Sequence, residues 1–294
     1  MRLRGPACIA ACIVALASAG CTYTIRESNV VIPRAAPAAD VVALRARFPD
    51  WSIDPMRIDV DGATLRAVRF VRPDARATVL YFGGNGYTVA RWGERTAEVF
   101  AALPVNLVLV DHRGYGASTG SPDLQSLYVD GVALHDALAR EPALRGLPLI
   151  AHGHSLGSFV AGHLATRRAL GGVVLEGTVT TSEEWASELR ARQPWWARAL
   201  VWRVRPDAAL AGQGNAATIA RFDEPVLFVV GADDAVTPPR FSRALFEATP
   251  LPPERKSLVV APGRGHQDAT RSPEFARAMR TLVESVAVAP RPDR

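Results

Sequence analysis

Hydrophobic and polar residues alternate along this chain with two different periods. Short apolar runs bounded by turn residues predict buried, mostly parallel strands at residues 78–82, 105–110, 147–151, 172–175, 226–230 and 257–260. Stretches with a helical period predict helices near residues 89–101, 124–140, 156–168, 240–248 and 273–286. This repeated strand and helix order predicts an α/β fold, a doubly wound sheet with helices on both faces.

Two parts of the pattern depart from this order. Residues 57–60 and 65–71 predict an antiparallel hairpin through Asp61-Gly62, which would start the sheet at its edge. Later, residues 176–224 separate two predicted strands, although a single helix needs far fewer residues. We therefore predict an insertion there, a helical cap at about residues 178–222.

Composition and charge narrow the class of protein. The chain has 294 residues and 48% hydrophobic content, enough to bury a sizeable core. The formal net charge is +5, and it falls to +3 if Arg2 and Arg4 are removed with a leader segment. A charge this mild, with no run of Lys or Arg, gives no reason to expect a nucleic-acid partner.

The N-terminus predicts export. Arg2 and Arg4 precede an apolar stretch at residues 7–17 and small residues up to Gly20, so residues 1–20 are expected to be a signal peptide, too short to span a bilayer. Residues 21–50, interrupted by Pro33 and Pro37, are expected to form a stem before a domain at residues 51–294.

Cys21 is the first residue after this predicted signal peptide. Cys8 and Cys12 would leave with the leader, so Cys21 would have no disulfide partner in an oxidising compartment. Small residues directly before a cysteine resemble the bacterial lipobox, although Ser18 stands where leucine is usual. This resemblance implies lipid attachment at Cys21 and a periplasm-facing protein of the cell envelope, and Thr22 favours the outer membrane. Cleavage after Ala19 without lipid is the alternative.

The candidate chemistry centres on the run Gly153-His154-Ser155-Leu156-Gly157, which lies between a predicted strand and a predicted helix. This is the pattern of a nucleophile elbow, in which flanking glycines let strand and helix approach closely. A serine hydroxyl needs a base and an acid to become nucleophilic. The loop after the strand at 226–230 supplies Asp233 and Asp234, and the loop after the strand at 257–260 supplies His266. Both loops lie at the carboxyl ends of their strands, where parallel sheets form their ligand and active sites.

The remaining histidines are weaker candidates for the base. Two fall within predicted helices, and the others lie near the site, where packing roles are favoured. These five are His112, His135, His152, His154 and His163. Only His266 lies in the loop where the base is expected.

Several segments together carry a resemblance to a known family. Besides the elbow and the two loops, they are Leu80-Tyr81-Phe82-Gly83-Gly84-Asn85-Gly86 and Asp111-His112-Arg113-Gly114-Tyr115-Gly116-Ala117-Ser118. Over about residues 57–286 the chain resembles single-domain α/β-hydrolases of the esterase and acyl-thioesterase type, close to the serine aminopeptidase-like hydrolases. The resemblance implies a mostly parallel eight-stranded sheet, Ser155 as nucleophile, His266 as base and Asp234 as acid.

The position of the acid and the oxyanion donors follow from the same resemblance. Asp234 lies three residues after Gly231 and four before Pro238, as the family's acid usually does. One oxyanion donor is expected to be the backbone N–H of Leu156. Matching the family's His-Gly-Asn sequence to residues 83–85 gives the N–H of Asn85 as the second, with Gly83 in place of the usual histidine. The role of Arg113 is left open: it would either contact the substrate or form a structural ion pair.

The predicted function is hydrolysis of a small-molecule carboxylic ester or thioester through an acyl-enzyme. No metal or organic cofactor is expected, since no metal-ligand spacing such as His-Glu-x-x-His occurs, and a monomer is the default. Two alternatives stay open: amide hydrolysis, as in proline-preferring aminopeptidases, and an envelope lipoprotein that uses the fold only as a binding scaffold.

The predicted cap is rich in aromatic and basic residues. It contains Trp185, Trp195, Trp196 and Trp202 together with Arg198, Arg203 and Arg205. These tryptophans would line an acyl-chain site or rest on a membrane surface, where Trp and Arg are favoured. The alternative is that the rings only pack the cap onto the sheet.

Overall fold

A computed structural model of the chain describes residues 21–288. Its strands are β1 (Cys21–Ile25), β2 (Ser52–Val60), β3 (Ala63–Val71), β4 (Ala77–Phe82), β5 (Val105–Asp111), β6 (Leu149–His154), β7 (Gly172–Glu176), β8 (Val201–Pro206), β9 (Val226–Gly231) and β10 (Lys256–Ala261). Its helices are α1 (Val41–Arg47), α2 (Val89–Phe100), α3 (Leu124–Arg140), α4 (Leu156–Ala165), α5 (Ser182–Ala191), α6 (Trp195–Leu200), α7 (Ala216–Ile219), α8 (Pro239–Ala248) and α9 (Pro273–Val288). The predicted signal peptide lies outside the described residues.

An eight-stranded sheet forms the centre of the fold, in the order β10-β9-β7-β6-β4-β5-β3-β2. The strands from β4 to β10 in this sheet pair in parallel, whereas β2 and β3 form an antiparallel hairpin that joins β5 at one edge. This confirms the predicted sheet. Pro55 lies in β2, which is an edge strand, and there the missing N–H of proline is tolerated.

Two apolar clusters cover the two faces of this sheet. One lies under α3 and α4 and includes the fully buried Leu127 and Leu164. The other lies under α1, α2 and α9 and includes Phe100 and Phe275. Each buried apolar side chain of this size stabilises the fold by roughly 1.5–3 kcal/mol, so the helices are held against the sheet and its carboxyl edge is fixed in place. Among the helices within residues 21–288, none has both the length and the apolar character needed to cross a bilayer.

Residues 21–50, predicted as a stem, pack against the domain. The strand β1 pairs in parallel with β8 of the cap, and Ile25 and Val31 join the core cluster. Leu44 and Phe48 are also buried, with Phe48 against the rings of Trp51 and Phe70. The physical reason for the difference is that these apolar side chains find partners far away in the sequence, which local composition does not reveal.

The cap at residues 178–222 is only partly helical. It contains α5, α6 and α7, but also β8, which pairs with β1. Trp195, Trp196 and Trp202 are 75%, 56% and 56% exposed, so the alternative that these three pack the cap onto the sheet is wrong. Trp185 is the exception, since it is half-buried and its Nε1 donates a 3.1 Å hydrogen bond to the Val236 carbonyl.

Candidate active site

Ser155 lies at a sharp turn between β6 and α4. Its backbone has φ of 52° and ψ of −115°, the only positive φ of a non-glycine residue within residues 21–288. Such a conformation costs about 1–3 kcal/mol. A Cβ on Gly157 would come 2.0 Å from the carbonyl oxygen of Phe82, and one on Gly153 would come 2.2 Å from that of Gly157. The glycines at both positions are therefore required by the close approach of strand and helix.

His266 follows β10 and reaches the serine. Its Nε2 lies 3.0 Å from the Ser155 hydroxyl oxygen, although 111 residues separate the two in sequence. The His154 ring donates from Nε2 to the His266 carbonyl at 2.8 Å, which holds the backbone of His266 in place. Burial lowers the pKa of His154, which disfavours the charged form of its ring.

Asp234 completes the line of hydrogen bonds on the other side of His266. Its Oδ2 accepts from His266 Nδ1 at 2.8 Å and from the Thr237 hydroxyl at 2.8 Å. Its Oδ1 accepts the N–H groups of Val236 and Thr237, both at 2.8 Å. Burial acts to raise the pKa of Asp234, but His266 and the bonds from Thr237 outweigh burial and hold this pKa below its ordinary value. Asp233, by contrast, is exposed.

Residues 73–216, which contain Ser155, match the family model described as "Serine aminopeptidase, S33". Among curated proteins, the chain is 27% identical over 224 residues to the human "Alpha/beta hydrolase domain-containing protein 17B", covering 76% of this chain and 72% of the relative. It is 25% identical over 279 residues to "Alpha/beta hydrolase domain-containing protein aho-3" of Caenorhabditis elegans, covering 91% and 76%.

Two of the solved structures with similar folds are hydrolases. The esterase Pf2001 of Pyrococcus furiosus superposes with a TM-score of 0.64 at 14% identity, over 87% of this chain and 97% of that one. A proline iminopeptidase of Mycobacterium smegmatis gives 0.62 at 14% identity, over 81% and 100%. This chain has the α/β-hydrolase fold. The family match and these neighbours support a hydrolase of that fold, and they leave the cleaved bond open.

The loop after β4 of this α/β-hydrolase fold carries the expected second oxyanion donor. Asn85 lies in the same cavity as Ser155. Its side-chain Oδ1 accepts the Ile32 N–H and the Tyr115 hydroxyl, both at 3.1 Å, so its side chain is held from two directions. Within residues 21–288, the backbone N–H groups of Asn85 and Leu156 donate no hydrogen bond to the protein. Both N–H groups are therefore free to bind a substrate oxygen.

Gly83 stands where the resemblance leads one to expect histidine, and the structure shows what fills that space. A Cβ at Gly83 would come 2.1 Å from the Tyr87 ring, so Tyr87 occupies the room of a side chain. The buried His112 donates from Nε2 to the Gly83 carbonyl at 2.9 Å. Burial lowers the pKa of His112, which suits a neutral ring in this support.

The segment 111–118 also supports this loop. Asp111 accepts the Val89 N–H at 2.7 Å and the Ala117 N–H at 3.1 Å, and thereby ties the start of α2 to the turn after β5. Arg113 binds Asp130 through two hydrogen bonds, at 2.6 and 2.9 Å, and both side chains are buried. The structural ion pair is thus confirmed for Arg113.

Sequence reasoning missed two contributors to the site. Thr237 bridges Asp234 and His266, lying 2.8 Å from one and 3.1 Å from the other, and its spacing of three residues from Asp234 could have indicated a turn of this kind. Glu176 ends β7, accepts from His152 Nε2 at 3.1 Å, and receives the Ser155 N–H on its backbone carbonyl at 2.8 Å. No local signal marks Glu176, because its partners lie on another strand.

A cavity of about 610 Å³ opens beside Ser155 and His266. Its inner part is lined by Tyr81, His152 and Glu176, whereas Trp92 and Val236 lie among its other lining residues. Within residues 21–288 no group of three or more His, Cys, Asp or Glu has a metal-binding arrangement. The described site therefore brings a serine hydroxyl and an imidazole together beside one cavity.

Proposed function

We propose that this chain is a serine hydrolase that cleaves a carboxylic ester or thioester through an acyl-enzyme. The single observation that supports this most is the continuous line of hydrogen bonds from the Ser155 hydroxyl through His266 to Asp234. A scaffold that only binds would need neither this line nor a strained serine at the elbow.

The proposed reaction has two steps. Ser155 Oγ attacks the acyl carbon while its proton passes to His266 Nε2, and that proton is then given to the departing alcohol or thiol. A water molecule next attacks the acyl-enzyme, gives its proton to His266, and releases the acid and the free serine. The oxyanion in each step would accept the N–H groups of Leu156 and Asn85, and each such donor is typically worth ~2.7–4 kcal/mol of transition-state stabilisation.

An aminopeptidase is the second candidate, because the matching family model and one structural neighbour bear such names. A peptide with a free α-amine needs an acidic group to bind that cation. The acidic side chain that lines the cavity is Glu176, which is 3% exposed and already bonded to His152. This electrostatic setting favours an ester or thioester over a free amine.

A matched pair of substrates tests this preference. The pair consists of the p-nitrophenyl ester of an amino acid with a free α-amine and the p-nitrophenyl ester of the same acid without the amine. We expect kcat/KM to be higher for the ester without the amine by about tenfold or more, which is ~1.4 kcal/mol of barrier. Release of the coloured leaving group measures both rates. A higher kcat/KM for the ester with the free amine, together with cleavage of the matching p-nitroanilide, would make the amide alternative the better proposal.

We further propose that Cys21 carries a lipid that holds the protein on a membrane of the cell envelope. Cys21 is exposed, and in β1 it is the register partner of Val201, next to the exposed Trp202 of the cap. From residue 190 to residue 206 the chain has five arginines and no acidic residue, a composition that suits an anionic lipid surface.

Replacing Cys21 with serine is expected to move the protein from the membrane fraction to the soluble fraction, because the acyl chains would be lost. Immunoblotting of fractionated cells measures this. The matched control is Thr22→Ser, an exposed neighbour, which should stay in the membrane fraction. Equal membrane association of the Cys21→Ser variant would refute the lipid anchor.

A further inference from the structure

The charged side chains around the cavity are mostly positive. Arg34, Arg91, Arg95 and Arg271 all line the cavity that contains Ser155, and all four are exposed. The acidic residue among the lining groups is Glu176 at the buried inner part. Guanidinium groups around a cleft attract anions and raise their local concentration. The mouth of this cavity is therefore suited to a negatively charged group.

Three of these four arginines are not neutralised by nearby carboxylates. Within residues 21–288, no carboxylate oxygen lies within 4.0 Å of Arg34, Arg91 or Arg95. Glu94, which lies between Arg91 and Arg95 in the sequence, pairs with Arg47 at 3.3 Å instead. Arg271 is the exception, since its guanidinium is 3.7 Å from Glu98.

Two of the arginines are held on one aromatic ring. The guanidinium carbons of Arg91 and Arg95 lie 5.2 and 5.9 Å from the ring centre of Trp92, which also lines the cavity. Cation–π contacts of this kind orient the planar groups without using their hydrogen-bond donors. The donors of both arginines stay available for a carboxylate or a phosphate.

The inner part of the cavity has the opposite character. Glu176 accepts from His152 there, and the Nδ1 of His152 has no hydrogen-bond partner in the described part of the chain. Burial acts to raise the pKa of Glu176, but His154 and His152 hold this pKa below its ordinary value. A carboxylate at this depth repels a second anion, so an anionic group would bind at the mouth.

We propose that the substrate of this site is an ester or thioester that carries a carboxylate or a phosphate, bound at the cavity mouth by Arg34, Arg91 and Arg95. This inference rests on the proposed hydrolase function and adds the charge of the substrate to it. The negative group belongs either to the acyl part or to the leaving group, and the two cases are separated by experiment.

Two matched substrate pairs form the test. In the first pair the acyl part differs: the p-nitrophenyl monoester of heptanedioic acid, which is anionic, and p-nitrophenyl heptanoate, which is neutral. In the second pair the leaving group differs: butanoyl-coenzyme A, which carries phosphates, and neutral butanoyl-N-acetylcysteamine. The measured quantity is the ratio of kcat/KM for the anionic substrate to that for the neutral one.

The double variant Arg91→Gln/Arg95→Gln is expected to lower this ratio about fivefold to tenfold in at least one pair, as suits two partly solvated charge contacts. The control Arg145→Gln/Arg243→Gln removes the same charge from two exposed arginines outside the cavity lining, and should keep the wild-type ratio. Raising the salt to about 1 M, where the Debye length is ~3 Å, should also lower the wild-type ratio.

The outcomes separate this inference from the function on which it rests. A lower ratio in the first pair assigns the anion to the acyl part, and a lower ratio in the second assigns it to the leaving group. Unchanged ratios in both pairs, with neutral esters still cleaved, overturn the anionic substrate and leave the hydrolase. If no member of either pair is cleaved, the proposed function itself fails.

Discussion

Replacing Ser155 with alanine is expected to lower kcat for an ester by about a million-fold and to remove labelling by a fluorophosphonate probe. The hydroxyl oxygen that would be lost is the atom 3.0 Å from His266 Nε2, so the base would have no nucleophile to activate. The remaining activity would come from substrate binding and the two N–H donors. Steady-state kinetics and gel fluorescence of the labelled protein measure the two effects.

Two further variants separate chemistry from folding in this experiment. Ser285→Ala, in α9, removes a hydroxyl that donates to the Leu282 carbonyl, and it should be labelled like the wild type. Ser155→Gly should be as inactive as the alanine variant but about 1 kcal/mol more stable, because glycine adopts the positive φ without strain. Normal labelling of Ser155→Ala would show that another residue is the nucleophile.

The parallel strands were the most predictable part of the fold. The predicted strands at 226–230 and 257–260 agree with β9 and β10 to within a residue at each end. Strands buried on both faces have continuous apolar runs, which give a clear local pattern. The strand predicted at 147–151 instead begins at Leu149 and runs on to His154, because its end pairs with β7, where His154 is the register partner of Glu176. A polar strand end of this kind depends on a distant partner and leaves no local sign.

The N-terminal segment and the cap were less predictable for the same reason. The pairing of β1 with β8 joins residues about 180 positions apart, so neither strand has a neighbour in sequence that could indicate it. The hydrogen bond from the Ile32 N–H to Asn85 also joins residues far apart in sequence, 53 positions. As a result, a segment expected to be a stem contacts both the cap and the loop that carries a proposed oxyanion donor.

The residues of the candidate site were predicted partly from their places after strands and partly from the family resemblance. Ser155 and His266 stood out by their places after strands, and the structure brings their side chains within hydrogen-bond distance. Asp233 and Asp234 are adjacent, so spacing from strand ends left both open, and the resemblance selected Asp234. The two carboxylates differ in burial and in their hydrogen bonds. Asp234 is 3% exposed and bonded to His266, whereas Asp233 is exposed.

Replacing Asp234 with asparagine is therefore expected to lower kcat by about ten-thousand-fold, whereas Asp233→Asn should stay within about twofold of the wild type. The Asp234 carboxylate accepts four hydrogen bonds. Two come from the N–H groups of Val236 and Thr237, one from the Thr237 hydroxyl and one from His266 Nδ1. An amide has one oxygen and one NH₂ group, so it cannot accept on both sides. If the NH₂ group faces His266, it donates to Nδ1 and moves the ring proton to Nε2, where the base must be free to accept.

If the amide turns the other way, its NH₂ group faces the N–H groups of Val236 and Thr237 and the loop loses two bonds. Either orientation costs activity, and the second also costs stability. Because the pKa of Asp234 is below its ordinary value, the carboxylate adds stability above the ordinary aspartate pKa of 3.8. This stability is lost as the pH falls through the lowered pKa. The difference in unfolding free energy between wild type and variant should thus shrink on acidification below that range. Equal kcat values for the two asparagine variants would remove Asp234 from the proposed mechanism.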